Sequence, residues 1–322
     1  MRRKPVYVQL DMQTDMDTLW EHTQIPRLHE QWDVRFSKID YLPRDSEDAP
    51  QQFEYITRIG AGMAIKGTGE TQANQLKEGG RMSTLVFASD QPFSLIRHGS
   101  GYWRYEKRHD HISFMTRFDY DTRFGLCGYW LDRLLFRPLF GRATAWSFDV
   151  LRIWLEQYIP PAITIRNACI HYCLVIVLAV LWIYQGLVPK LLYPDAGELA
   201  MLQSTGWAPG YEVQVVKVLG IAEILLGVLI LLQHRKRWTY GLHSVFLLGL
   251  TLPVLWSRPE LLSQPFQPLT FMLALLGCGL AAAGTRERLP HAGRCRRRPA
   301  AGAERRESAD AFYIPKSNGG RV

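Results

Sequence analysis

Cysteine is scarce in this chain. There are five in 322 residues, Cys127, Cys169, Cys173, Cys278 and Cys295, and none forms a C-x-x-C pair. No disulfide framework is implied, and no metal site is expected. Cys169 and Cys173 stand one helical turn apart, a spacing that suits a metal or redox pair only if further ligands join them. In an apolar run, cysteine more simply acts as a small apolar side chain. No serine or cysteine stands in a nucleophile motif, and haem, iron–sulfur and flavin signatures are lacking. Gly60-Ala-Gly62 and Gly67-Thr-Gly69 look like a phosphate loop, but their surroundings alternate as strands and a hairpin. His98, His109 and His111 cluster at a turn, where solvation is a plainer role than metal binding. No catalytic residue is therefore nominated, and binding is a better expectation than catalysis. The opening MRRKPVYVQLDM has basic residues with no apolar run behind them, unlike a signal peptide. The N-terminal half is expected to remain in the cytoplasm.

Charge is also missing where it matters most. From Ala168 to Val188 there is no Asp, Glu, Lys or Arg. A bilayer core takes about 20 mostly apolar residues as a helix, so this run reads as a membrane span, flanked by Arg166 and Lys190 and preceded by Pro160-Pro161. Three more runs come after it, Val213–Leu232, Tyr240–Trp256 and Leu269–Ala283, the last one short. Basic residues collect between the second and third spans (Arg235, Lys236, Arg237) and after the fourth (Arg286, Arg288, then Arg294 to Arg298). Lys/Arg-rich loops stay inside, which places both termini in the cytoplasm of a multi-pass inner (plasma) membrane protein. From Gly284 onward there are ten Lys/Arg against four Asp/Glu. Residues 285–322 are expected to be a basic, disordered tail that sets orientation; nucleic acid is not an expected partner.

Residues 1–160 look different. Val6, Val8, Leu10 and Met12 alternate with polar neighbours, as in a half-buried strand. Thr14 and Asp17 have capping-box spacing ahead of the short helix DTLWEHT. Pro26 opens a second helix, PRLHEQWD. Phe53 to Ile59, AIKGTGETQAN, Arg81 to Ala88, GYWRYE and Ile112 to Tyr120 come next as hairpin strands. TAWSFDVLRIWLEQY is an amphipathic helix with Asp149, Arg152 and Glu156 along one stripe. The Leu-, Phe- and Trp-rich segment FGLCGYWLDRLLFRPLFGRATAW, studded with Arg133, Arg137 and Arg142, suits either a membrane surface or a kinked lead-in packed within the domain. The order, carried by DTLWEHTQIPRLHEQWD, IRHGSGYWRYE and RPLFGRATAWSFDVLRIWLEQ, resembles the helix-grip fold of the START-like (SRPBCC) superfamily, which includes polyketide cyclases and lipid-transfer domains. That resemblance implies an apolar pocket between sheet and long helix. Trp103, Tyr105, Phe114, Phe118 and Tyr120 would then face a hydrophobic small molecule or lipid; the alternative is that they fill a core.

In the membrane half, LWIYQGLVPKLL together with VLGIAEILLGVLILL resembles the DoxX-like family of small four-helix membrane proteins, over residues 166–284. The expected architecture is an α+β helix-grip domain followed by an all-α four-helix transmembrane bundle. Ionisable residues inside spans are costly and are functional candidates: Glu223, Lys217, His243 and Lys190. Lys190 is expected to snorkel at the outer edge. Glu223 must be protonated, paired or wet, with Tyr184 or Gln185 as neighbours. Gly220, Gly227 and Gly249 are expected to let helices approach closely. Some DoxX relatives belong to quinone-linked redox complexes, so the resemblance implies quinone as the one cofactor to consider. A hydrophobic-ligand binder, a redox subunit and a non-catalytic scaffold all remain open, as does a homo-oligomer or a membrane-protein partner.

Overall fold

The structure is a computed structural model that describes residues 4–299 apart from 45, 47, 48, 61, 76–78 and 264–267. It divides into two units. The first is built from the chain up to Thr164, joined by the segment from Pro290; the second is Ile165–Leu289.

The first unit begins with β1 (Val6–Met12), α1 (Met16–Gln24) and α2 (Pro26–Trp32). Asp15, not Thr14, caps α1, its carboxylate accepting the Thr18 N–H at 2.8 Å. Either residue type can cap, and the extended backbone at Asp15 decides between them. Then β2 (Lys38–Tyr41), β3 (Gln51–Gly60), β4 (Met63–Gln75), β5 (Arg81–Ala88), β6 (Ile96–Lys107) and β7 (Ile112–Thr122) run as antiparallel neighbours. β2 is a strand beyond those expected; it is four residues with one buried side chain, Ile39, too short to show alternation. β1 pairs with β7, from Val6 opposite Phe118 to Met12 opposite Ile112. The sheet order is β1-β7-β6-β5-β4-β3-β2. After β7 come α3 (Gly125–Leu131), a π-helical turn (Asp132–Phe136) and the long α4 (Arg137–Gln157). This is the helix-grip order.

Rings from α4 lie on the inner sheet face. Phe148 stacks on Phe114 with centroids 4.4 Å apart, and Phe140 meets Phe118 edge-on at 5.4 Å. Burying one such side chain contributes about 1.5–3 kcal/mol. The sheet makes room for them at Gly101, opposite Phe118; a Cβ there would come within 2.7 Å of the Phe118 Cα.

The segment after the last span departs from expectation. His291 donates its backbone N–H to Asp149 Oδ2 at 2.8 Å, Cys295 Sγ lies 3.2 Å from the Ala145 carbonyl, and Arg296 exchanges two 2.9 Å backbone bonds with Gln9. Residues 290–296 thus lie against α4 and the outer edge of β1; only residues 300–322 of the expected tail fall outside the described residues. Burial there pushes the Cys295 thiol up to about 12. The same cover buries Asp149, whose carboxylate is bound by Arg152 at 2.6 Å. The charged stripe of α4 is therefore a packed seam at Asp149.

The second unit holds α5 (Pro161–Gly186) from Ile165 onward, which continues through a π-helical turn to Leu192, then α6 (Glu198–Ser204), α7 (Glu212–Gln233), α8 (Arg237–Ser257) and α9 (Pro268–Thr285). Among the described residues, Pro161–Leu192, Glu212–Gln233 and Arg237–Ser257 are long and apolar enough to cross a membrane; Leu269–Thr285 is a shorter apolar helix. One core joins all four, with Leu178 and Trp182 of α5, Leu226 and Ile230 of α7, Leu247 of α8, and Met272 and Leu275 of α9. The chain leaves the first unit before Ile165 and rejoins it after Leu289.

A buried ion pair pins the first unit. Arg35 grips Asp33 through Nε to Oδ1 at 2.8 Å and Nη2 to Oδ2 at 2.6 Å, while Nη1 reaches Thr144 of α4 at 3.1 Å. Burial pushes the Asp33 carboxyl up, but the Arg35 charge and the bonds from Arg35 and His29 outweigh it and hold it well below the usual range. Arg35→Leu strands a buried carboxylate and is expected to cost about 3–5 kcal/mol, read as faster amide exchange in α4 and β7. A lowered folded-state value stabilises above the unfolded one, about 3.9, and that contribution disappears as pH falls through the folded one. The gap between wild type and R35L should therefore narrow below about pH 4; a gap that stays constant would show that Asp33 is not the cause.

Candidate functional site

In the bundle, α5 and α7 meet along glycines. A Cβ on Gly220 would lie 2.8 Å from the Gly186 carbonyl oxygen and 2.9 Å from Lys190 Cβ, and one on Gly227 would lie 2.8 Å from the Ala179 carbonyl oxygen. Such close approach needs small residues. Gly249 is different: a Cβ there meets nothing within 4 Å, so the close approach expected of it does not occur. It stands four residues before Pro253, which lies inside α8 and has no N–H to offer the Gly249 carbonyl.

Just past Gly186 the helix widens. Pro189 has no N–H, and the turn Leu187–Leu192 becomes π-helical, closed by a 2.9 Å bond from the Tyr193 N–H to the Val188 carbonyl. An extra residue in a turn rotates the later side chains by about 100°. Lys190 is carried inward and is 7% exposed instead of snorkelling. Its Nζ lies 3.2 Å from Glu223 Oε1 and 3.1 Å from Glu198 Oε1. Glu223 is 2% exposed, and Lys190, rather than Tyr184 or Gln185, is its partner. Its second oxygen, Oε2, is buried without a hydrogen-bond partner among the described residues.

Glu223 borders a cavity of about 590 Å³, walled by Leu181, Trp182, Leu247, Leu250 and Leu275, with Gln185, Glu198 and Thr251 as polar points. This is the size of a small-molecule site, apolar with few polar groups. Leu250 and Thr251 come from the weakened turn before Pro253. Behind the wall, Trp182 Nε1–H donates to His243 Nδ1 at 2.9 Å, and His243 Nε2 donates to the Leu275 carbonyl at 3.2 Å. His243 is buried and orients Trp182. Lys217 is exposed on α7 and takes no part. Toward the other end of the bundle, His171 joins His234 at 3.0 Å and the Ala282 carbonyl at 3.1 Å, and Arg235 donates to Tyr172 Oη at 3.0 Å. The sequence offered no pairing for Glu198 or His171. The signal that did reach the site was the presence of ionisable residues, Glu223 and Lys190, in apolar runs.

The residues expected to face a ligand in the first unit are all buried. Tyr105 stacks on Phe114 at 4.9 Å, and its hydroxyl meets Thr23 Oγ1 at 2.7 Å. Trp103 meets Phe114 at 5.7 Å. Phe118 lies beside Tyr120, whose hydroxyl donates to Asp132 Oδ1 at 2.6 Å. These rings satisfy one another and α4, as a packed core does. His111 pairs with Asp110 at 2.7 Å. Cys169 and Cys173 are free and exposed.

A DoxX-like family model matches residues 179–280, the stretch that holds Lys190, Glu198 and Glu223. The chain is 43% identical over 252 residues to the "Uncharacterized membrane protein YndG" of Bacillus subtilis (strain 168), covering 77% of this chain and 85% of that one. Solved structures similar to the first unit include a STAR-related lipid transfer protein from Xanthomonas axonopodis (12% identity, TM-score 0.37, 47% of this chain and 84% of that one). A START superfamily protein from Mycobacterium smegmatis is similar at 15% identity and TM-score 0.35, covering 49% of this chain and 100% of that one.

Removing one member of a buried pair leaves the other uncompensated, which costs about 3–5 kcal/mol. Lys190→Met should therefore destabilise the bundle more than the double variant K190M/E223M does, measured by thermal unfolding in detergent. Additive losses would mean that the pair does not hold α5 to α7.

Proposed function

On the premise that this chain belongs to the membrane-protein family of Bacillus subtilis YndG and carries a DoxX-like domain, we propose that it binds a small amphipathic molecule in the bundle cavity. The supporting observation is Glu223 Oε2, buried and unpartnered beside that cavity. An unsatisfied buried oxygen costs free energy that a ligand donor recovers. With Lys190 beside Oε1, the carboxylate is an acceptor, so the ligand carries an O–H or N–H on an apolar body. Leu181, Leu247, Leu250 and Leu275 accept the body. In this reading the protein binds rather than catalyses, and the inner rings of the sheet serve as core. A redox subunit is the second reading, favoured by the same oxygen, since a quinol hydroxyl is a donor of the required kind; its electron acceptor would have to come from a partner.

The helix-grip unit lies on the cytoplasmic side in this proposal, because Arg235, Lys236 and Arg237 join α7 to α8 at the end of the bundle from which the chain returns to it. A Ser204→Cys thiol should then react with an impermeant reagent from outside intact cells, and a Lys236→Cys thiol should not. The reverse pattern overturns the orientation.

Binding is tested with the full chain in lipid nanodiscs. Native mass spectrometry should find a copurifying molecule, or a decyl-tailed hydroquinone or decanol should bind. Glu223→Gln should weaken binding by about tenfold or more, a charge-assisted bond being worth about 1.5–3 kcal/mol. No copurifying molecule and no binding of either probe below about 1 mM, or equal binding by the variant, overturns the proposal.

A further inference from the structure

The segment that leaves β7 turns its apolar side chains outward. Phe124, Leu126, Trp130, Leu131, Leu134 and Leu135 are exposed, Leu126 at 79% and Leu134 at 72%. They are not loose. Beneath them Asp132 is buried, accepting from Tyr120 Oη at 2.6 Å and from Arg137 Nε at 2.9 Å, and Arg137 also reaches Asp119 at 2.8 Å. The π-helical turn Asp132–Phe136 admits one extra residue, so Leu134 and Leu135 can both face out while Asp132 faces in. A helix that offers its polar residue to the core and its leucines to solvent is the reverse of an ordinary surface helix. Exposed apolar patches of this kind mark interaction surfaces.

The geometry points to a lipid bilayer as the occupant: the ridge formed by α3, the π-helical turn and the first turn of α4 is a surface anchor that lies in the headgroup–acyl boundary of an anionic membrane. Charge selects this partner. Asp132 is the one carboxylate between Phe124 and Arg142, and it is buried and paired. The exposed charges there are Arg133 and Arg142. Arg133 lies over the Trp130 ring, its Cζ 5.6 Å from the centroid, a pairing of cation and aromatic suited to the headgroup level. Apolar side chains that enter and arginines that stay at the phosphates define an interfacial helix. The apolar helices follow closely in the chain, since only Tyr158, Ile159 and Pro160 separate α4 from α5.

Cys127 sits on this ridge and is exposed, so it can report on the ridge's surroundings. The full chain, with Cys169, Cys173, Cys278 and Cys295 replaced by alanine, would be spin-labelled at Cys127 and reconstituted into vesicles of three parts phosphatidylcholine to one part phosphatidylglycerol. Collision with oxygen should exceed collision with a water-soluble nickel chelate by about tenfold, and the L126E/L134E variant should reverse that ratio while its amide-exchange pattern elsewhere is kept. A label open to the nickel chelate overturns the inference. So does a label shielded from both, or one broadened by a second label, which would mean that protein covers the ridge.

Discussion

An ammonium and a carboxylate in apolar surroundings have no water to fall back on, and this governs the bundle. Lys190 and Glu223 lie 3.2 Å apart because α5 and α7 can touch at Gly186, Gly220 and Gly227. A helix of larger residues would hold the pair apart and leave both charges stranded. The π-helical turn at Pro189 supplies the rotation, and Glu198 from α6 supplies a second acceptor. One carboxylate oxygen is left over after these demands are met. The cavity beside it is lined in part by Leu250 and Thr251, from the turn before Pro253 in α8.

The first unit applies the same rule in a different medium. Its core is a chain of rings running through Trp103, Phe114 and Phe148. Three buried aspartates stand at the edges of that core, each with an arginine: Asp33 with Arg35, Asp132 with Arg137, Asp149 with Arg152. Each pair sits where the chain changes course or is covered by a distant segment. Asp33 follows α2 and draws Arg35 to α4. Asp132 fixes the turn that leads into α4. Asp149 receives the backbone of His291, far away in sequence. Such pairs add little net stability over apolar contacts, and they penalise arrangements that leave one partner alone.

Much of this was legible from local pattern. Alternation placed β1, β3, β5, β6 and β7, and hydropathy placed the long spans, because both signals repeat within a few residues. The shared face of Trp103, Tyr105, Phe114 and Phe118 came from the period of two. Whether those rings enclose a ligand or one another did not, since that depends on how closely Phe148 and Phe140 of α4 approach. The spans contained Glu223 and Lys190 but gave no sign of their meeting, and Glu198 stayed hidden because an acidic residue in a loop looks like any other. Asp149 belonged to a charged stripe until residues 290–296, assigned to a tail, covered it.

Composition and periodicity by themselves determined that this chain has a mixed sheet-and-helix part followed by apolar helices able to cross a bilayer, because burial and spanning are properties of short stretches. Only the tertiary structure decided which polar groups are paired, where a cavity opens, and which leucines stay outside. Those outcomes depend on helix rotation and close approach between segments many residues apart, set here by Pro189, Gly220 and the return of the chain after α9.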